Sequence, residues 1–110
     1  MTYQISLETI KEHLAHQFHL PDEQIDKMLP SFVSTLRVHM QNLELALAEE
    51  DFQSLGRAGH TIKGAFLNLG LNDCAEIALK IEEMGKQGES SPHFRLLLDD
   101  LRLKIEPVLR

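Results

Sequence analysis

The chain has no tryptophan, one tyrosine and a single cysteine, Cys74. One cysteine cannot close an internal disulfide, so the sequence fits a reducing compartment. No apolar run approaches the roughly 20 residues of a membrane span, and the N-terminal MTYQISLETIKEHL lacks the core of a signal peptide. Basic residues are also in deficit: 11 against 17 acids give a formal net charge of −6. That balance disfavours general affinity for nucleic acid or an anionic membrane surface. No GxxxxGK[ST] loop or kinase nucleotide-binding pattern occurs, so the chain is not expected to phosphorylate itself from ATP. The expectation is a cytoplasmic protein forming one domain over residues 1–110.

What is abundant is Leu, Ile and Ala, a mixture that favours helix over strand. Five helical stripes can be read. Ser6 is a candidate N-cap, with Ile5 and Ile10 as a hydrophobic staple, ahead of a stripe of Tyr3, Leu7, Ile10, Leu14 and Phe18. Ile25, Leu29, Phe32, Leu36, Met40, Leu43 and Leu47 mark a long second helix, in which Pro30 predicts a kink or a break. Asp51 caps a third, along which Phe52, Leu55, Gly59, Ile62, Phe66 and Leu69 recur until Gly70 ends it. Asn72 or Asp73 caps the fourth, with Cys74, Ile77, Ile81 and Met84 facing inward. Gly85 to Ser91 read as a loop, and Ser91-Pro92 as the start of the fifth. Short connections imply antiparallel neighbours. The expected fold is all-α: an antiparallel up-down four-helix bundle over about residues 22–110, with residues 1–20 as an added N-terminal capping helix.

The stretch GRAGHTIKGAFLNLGL, residues 56–71, combines helical periodicity with four glycines. On a wheel of about 100° per residue, His60 lies about 130° from the centre of the apolar face. Gly56, Lys63 and Gly64 are its neighbours one turn away. Interior glycines cost about 0.8–1.0 kcal/mol each relative to alanine, so Gly56, Gly59 and Gly64 together forgo ~2–3 kcal/mol. Gly59 lies on the core stripe, where it admits a neighbouring helix. Gly56 and Gly64 read instead as clearance around an exposed imidazole. No Ser, Cys, Asp or Glu lies in this stretch, so no catalytic pair or metal shell forms locally. What remains is a free imidazole with Lys63 and Arg57 close by. These residues leave two readings open: an ordinary surface histidine, or a ring nitrogen exposed for nucleophilic chemistry beside a cation that balances phosphoryl charge.

The run His60-Thr61-Ile62-Lys63-Gly64-Ala65, followed by Asn68-Leu69-Gly70, resembles the signature of histidine-containing phosphotransfer (HPt) domains, His-x-[Leu/Ile]-Lys-Gly-[Ser/Ala]. The likeness continues upstream through Leu45-Ala46-Leu47, Asp51 and Leu55. Downstream it takes in Ala75, Ala78, Ile81-Glu82 and Gly85, so that it spans about residues 28–106. The resemblance implies that His60 accepts a phosphoryl group from a receiver-domain aspartyl phosphate and passes it to another receiver. Which ring nitrogen reacts is not set by the sequence; family behaviour implies Nε2. Partners would be response-regulator receivers and a hybrid sensor kinase. Mg²⁺ would come from the receiver, and the chain, a monomer, would need no cofactor or metal of its own. By the same resemblance Lys63 lies beside the phosphohistidine and Gly64 makes room for the receiver. Glu82 occupies a position where some members hold a polar residue touching the histidine, although a carboxylate there would repel a phosphoryl group. Gly59 stands where the family usually has alanine, while Phe66 and Leu67 exceed the common small residues. Leu67, two turns beyond His60, is expected to belong to an apolar receiver-docking surface. The contrasting expectation is a helical adaptor that binds a receiver or another signalling partner and is never phosphorylated. An initial Met and compact length favour a stand-alone protein.

His13, His16 and His19 recur at three-residue steps and raise a metal reading. Their directions rotate around the helix, the third lying about 120° from the first, so a solvated polar face is expected.

Overall fold

Ser6 and Asp51 both cap helices in the computed structural model, which describes residues 5–109. Tyr3, counted in the first apolar stripe, lies outside the described residues. The five helices among them are α1 (Leu7–Phe18), α2 (Asp22–Ala48), α3 (Phe52–Asn68), α4 (Asn72–Lys86) and α5 (His93–Leu109). The described residues contain no strand.

The helix ends follow local chemistry. Ser6 Oγ accepts from the Thr9 amide at 3.3 Å, and Ile5 and Ile10 are both buried, as a staple requires. Asp51 Oδ1 accepts from the Ser54 amide at 3.1 Å and starts α3. At the other end Gly70 has φ +75°, with its amide on the Leu67 carbonyl and the Leu71 amide on the Phe66 carbonyl. That pair of bonds is a Schellman motif, which turns the chain sharply into α4.

Three boundaries differ from the sequence reading. Pro30 does not break α2, which is helical without interruption from Asp22 to Ala48. Neither Asn72 nor Asp73 caps α4: the cap position is Leu71, without a side-chain bond, and Asn72 is already helical. The helix then runs through Gly85 and Lys86, both assigned to a loop from sequence. Pro92 precedes α5, and Ser91 Oγ accepts from the His93 amide at 3.2 Å.

Helices α2, α3, α4 and α5 pack in a closed cycle, α5 returning to α2, and α1 lies on α2. Phe66, Phe94, Ile25, Leu43, Leu55, Ile62, Ile81 and Leu98 fill the centre with little or no exposure. The Ile5 amide donates to the Lys104 carbonyl, which fastens the N-terminal segment to α5. Arg95 of α5 grips Glu44 of α2 through two bonds of 2.8 and 2.7 Å, holding that carboxyl below its usual range. No helix among the described residues is long and apolar enough to cross a membrane.

The α3–α4 contact is the most extensive, and glycine makes it so. A Cβ placed on Gly85 would lie 2.5 Å from Gly56 Cα, and one on Gly59 would lie 3.0 Å from the Glu82 amide nitrogen. Gly56 is therefore buried against α4, which corrects its assignment as clearance beside an exposed ring. Gly64 differs: beyond its chain neighbours and the adjoining backbone of its own helix, no atom lies within 4 Å of the position a Cβ would take.

Candidate functional site

His60 stands on the solvent side of α3, its side chain 67 % exposed. The close approach of α3 and α4 brings Glu82 beneath it. The Glu82 side chain is only 8 % exposed, and its Oε2 lies 2.8 Å from His60 Nδ1. The other oxygen, Oε1, accepts from Lys63 Nζ at 2.6 Å. Lys86, one turn after Glu82 on α4, adds its ammonium 3.6 Å from Oε2.

Burying a carboxylate is unfavourable without partners, and here cations and hydrogen bonds outweigh burial. The Lys63 hydrogen bond is the largest influence, and with His60 it holds the Glu82 carboxyl down at about 2 against an ordinary 4.5. At neutral pH Glu82 is therefore ionised and can only accept. The proton in its contact with His60 must sit on Nδ1. In the neutral ring this leaves the lone pair on Nε2, on the side of the imidazole away from Glu82.

The free imidazole expected from residues 56–71 alone is thus one half of a carboxylate–histidine pair. The other half arrives from α4, 22 residues further along the chain. Lys63 is likewise committed, its side chain 23 % exposed and bound to Glu82. Arg57 donates to Ser54 Oγ at 2.9 Å and borders the histidine. An open cleft of about 540 Å³ is lined by His60, Gln53, Gly56, Arg57, Thr61, Glu82 and Lys86. Leu67 is exposed on α3 but does not line this cleft.

Sequence reasoning missed Lys86, because Gly85 suggested that the helix had ended. The available signal was its spacing from Glu82, since i and i+4 are neighbours on one helix face. Gln53 and Thr61 were also missed; Thr61 Oγ1 donates to the Arg57 carbonyl at 3.1 Å.

The three histidines of the first helix region part company. His13 packs its ring edge-on to Phe18, centroids 6.4 Å apart, and lies against Gly70. It is therefore half-buried, not wholly solvated as expected. His16 is exposed, and His19 ends α1 in the left-handed region at φ 53°. Among the described residues no three His, Cys, Asp or Glu side chains gather as metal ligands. Cys74 is buried at the start of α4, which pushes its thiol up to about 12.

No curated protein and no solved structure matches the chain. A family profile, that of the Hpt domain, matches residues 27–108 and takes in both His60 and Glu82. The helical architecture and this match place the chain in the Hpt domain family, whose members carry phosphoryl groups on histidine in phosphorelays and interact with receiver domains.

Proposed function

We propose that this chain is a phosphocarrier that accepts a phosphoryl group on His60 Nε2 from a receiver aspartyl phosphate and delivers it to another receiver. The observation that carries the reading is the pairing of an exposed imidazole with a buried carboxylate, which keeps the reactive lone pair on the outward nitrogen. Nε2 attacks phosphorus in line with the acyl oxygen. The N–P bond forms as the P–O bond breaks, and the receiver aspartate leaves as a carboxylate with the bonding pair. Nδ1 keeps its proton throughout, so the positive charge that develops on the ring faces Glu82. Delivery to the next aspartate runs the same step in reverse.

The protein's share of the work is presentation and charge balance. Lys63 serves the phosphoryl charge by neutralising Glu82, whose carboxylate would otherwise repel the incoming group. The open space above Gly64 supports receiver approach, with Leu67 and Arg57 at the docking surface. Mg²⁺ belongs to the receiver in this scheme, and the carrier contributes no metal or cofactor. Its partners are response-regulator receivers and a hybrid sensor kinase. The same proposal takes the carrier to be a cytoplasmic monomer. Its frame is an up-down antiparallel four-helix bundle over about residues 22–110, with residues 1–20 as its cap.

The test is transfer of label from a panel of phosphorylated receivers to wild type and to His60→Gln. Acid-labile, base-stable label on wild type alone is expected. Absence of transfer from every receiver of the host overturns the carrier reading in favour of an adaptor.

A further inference from the structure

Lys63, the lysine of the histidine motif, is engaged away from the cleft, and a second lysine stands inside it. Lys63 Nζ lies 2.6 Å from Glu82 Oε1, and Lys63 is not among the cleft-lining residues. Lys86 is 73 % exposed, ends α4, and lines the cleft with His60 and Arg57. Its 3.6 Å separation from Glu82 Oε2 is an ion pair but too long for a hydrogen bond. One lysine is fixed; the other is tethered loosely on a flexible stem.

From this arrangement we infer that Lys86 is the cation that contacts the phosphoryl group on His60, while Lys63 is reserved for Glu82. The inference rests on the carrier reading. Four charged groups gather around the site: Arg57 and Lys63 from α3, Glu82 and Lys86 from α4, with Lys63 and Lys86 both on Glu82. Lys63 cancels Glu82. When Nε2 takes the phosphoryl group, the ring gains one positive charge and the site gains a group carrying about −1.5 to −2 at neutral pH. An uncompensated negative charge remains, and Lys86 can swing from Glu82 to meet it. Arg57 is less available, since its guanidinium already donates to Ser54 Oγ. The group transfer is the one written above: N–P forms, the donor's bond to phosphorus breaks, and the pair leaves with the donor. Lys86 moves no proton in it.

Potassium phosphoramidate is a suitable donor because it separates ring chemistry from receiver docking. Wild type, Lys86→Gln, Lys86→Arg and His60→Gln would be phosphorylated with it and followed by ³¹P NMR. Lys86→Gln should be phosphorylated about 3–10-fold more slowly, with Lys86→Arg restoring most of the rate. The phosphoryl ³¹P titration in Lys86→Gln should move up by about 0.6–0.8 pH unit, the effect of one unit charge 4–5 Å away in a water-like medium. A role confined to Glu82 would leave that titration in place and alter the ring ¹⁵N signals of the unphosphorylated protein, which are expected to be unchanged. If His60 is phosphorylated and Lys86→Gln matches wild type in both rate and titration, the inference fails and the carrier reading stands. If neither phosphoramidate nor any receiver labels His60, both fail. Far-ultraviolet circular dichroism checks the fold, and loss of helix in Lys86→Gln would contradict the inference by giving Lys86 a structural role.

Discussion

His60 Nδ1 and Glu82 Oε2 lie 2.8 Å apart, one on an exposed ring and the other on a buried carboxylate. The contact fixes the tautomer of the histidine that the carrier reading makes the phosphoryl acceptor. Glu82→Ala removes it and strands Lys63, so it should lower stability by about 1.5–3 kcal/mol, the range for hydrogen bonds to charged groups. Glu82→Gln keeps a hydrogen-bond acceptor and should lose less. Ring ¹⁵N spectra should report a single Nδ1–H tautomer in wild type and in Glu82→Gln, and a mixture in Glu82→Ala.

The same carboxylate makes an acid prediction. Its folded value of about 2 lies below the ordinary 4.5. A depressed acid contributes stability that is fully present above the unfolded value and is lost as pH falls through the folded one. The stability gap between wild type and Glu82→Gln should therefore be constant above pH ~5 and shrink between about 4.5 and 2. Denaturant titrations across that range check the sign, and a gap that widens on acidification would contradict it.

Gly64 and Gly85 should respond oppositely to a methyl group. At Gly64 a Cβ meets nothing within 4 Å beyond its chain neighbours and its own helix backbone, so Gly64→Ala should stabilise the helix by about 0.8–1.0 kcal/mol. If the space is kept for a receiver, the same change should slow receiver transfer while phosphoramidate labelling is maintained. At Gly85 a Cβ would lie 2.5 Å from Gly56 Cα and 2.8 Å from the Phe52 carbonyl oxygen, both backbone. Gly85→Ala must push α4 from α3, lowering stability by about 1–3 kcal/mol and loosening the Glu82 contact. Thermal melts and ring ¹⁵N spectra measure both effects.

Leu67 is exposed on α3 beyond His60 and Gly64. As part of the docking surface, Leu67→Asp should weaken receiver binding by about 1–3 kcal/mol, the loss of one buried leucine contact. Stability should be unchanged within about 0.5 kcal/mol, as for surface substitutions generally. Equal receiver affinity in wild type and Leu67→Asp would remove Leu67 from the interface.

Much of the fold was legible because it depends on local chemistry. Ser6, Asp51 and Gly70 sit at helix ends for reasons visible within a few residues, and the stripe from Leu55 to Phe66 is buried as its spacing requires. Of the kink or break that Pro30 signals, the break does not occur, because the apolar stripe on both sides of it packs as one helix. The site was legible only on one side. His60, Lys63 and Gly64 share a helix, whereas Glu82 and Lys86 meet them through the packing of α3 on α4. Gly56 shows why: a wheel for one helix marks where a side chain points, not how close the next helix comes. The resemblance supplied the position of Glu82, and packing supplied its charge partners.

The most direct test of the account is the site of phosphorylation itself. Protein labelled with ¹⁵N-histidine, phosphorylated by a receiver and observed by ¹⁵N–³¹P correlation, should show one-bond coupling to His60 Nε2, with Nδ1 still protonated. Coupling to Nδ1, or a phosphoryl group on any residue other than His60, would contradict it.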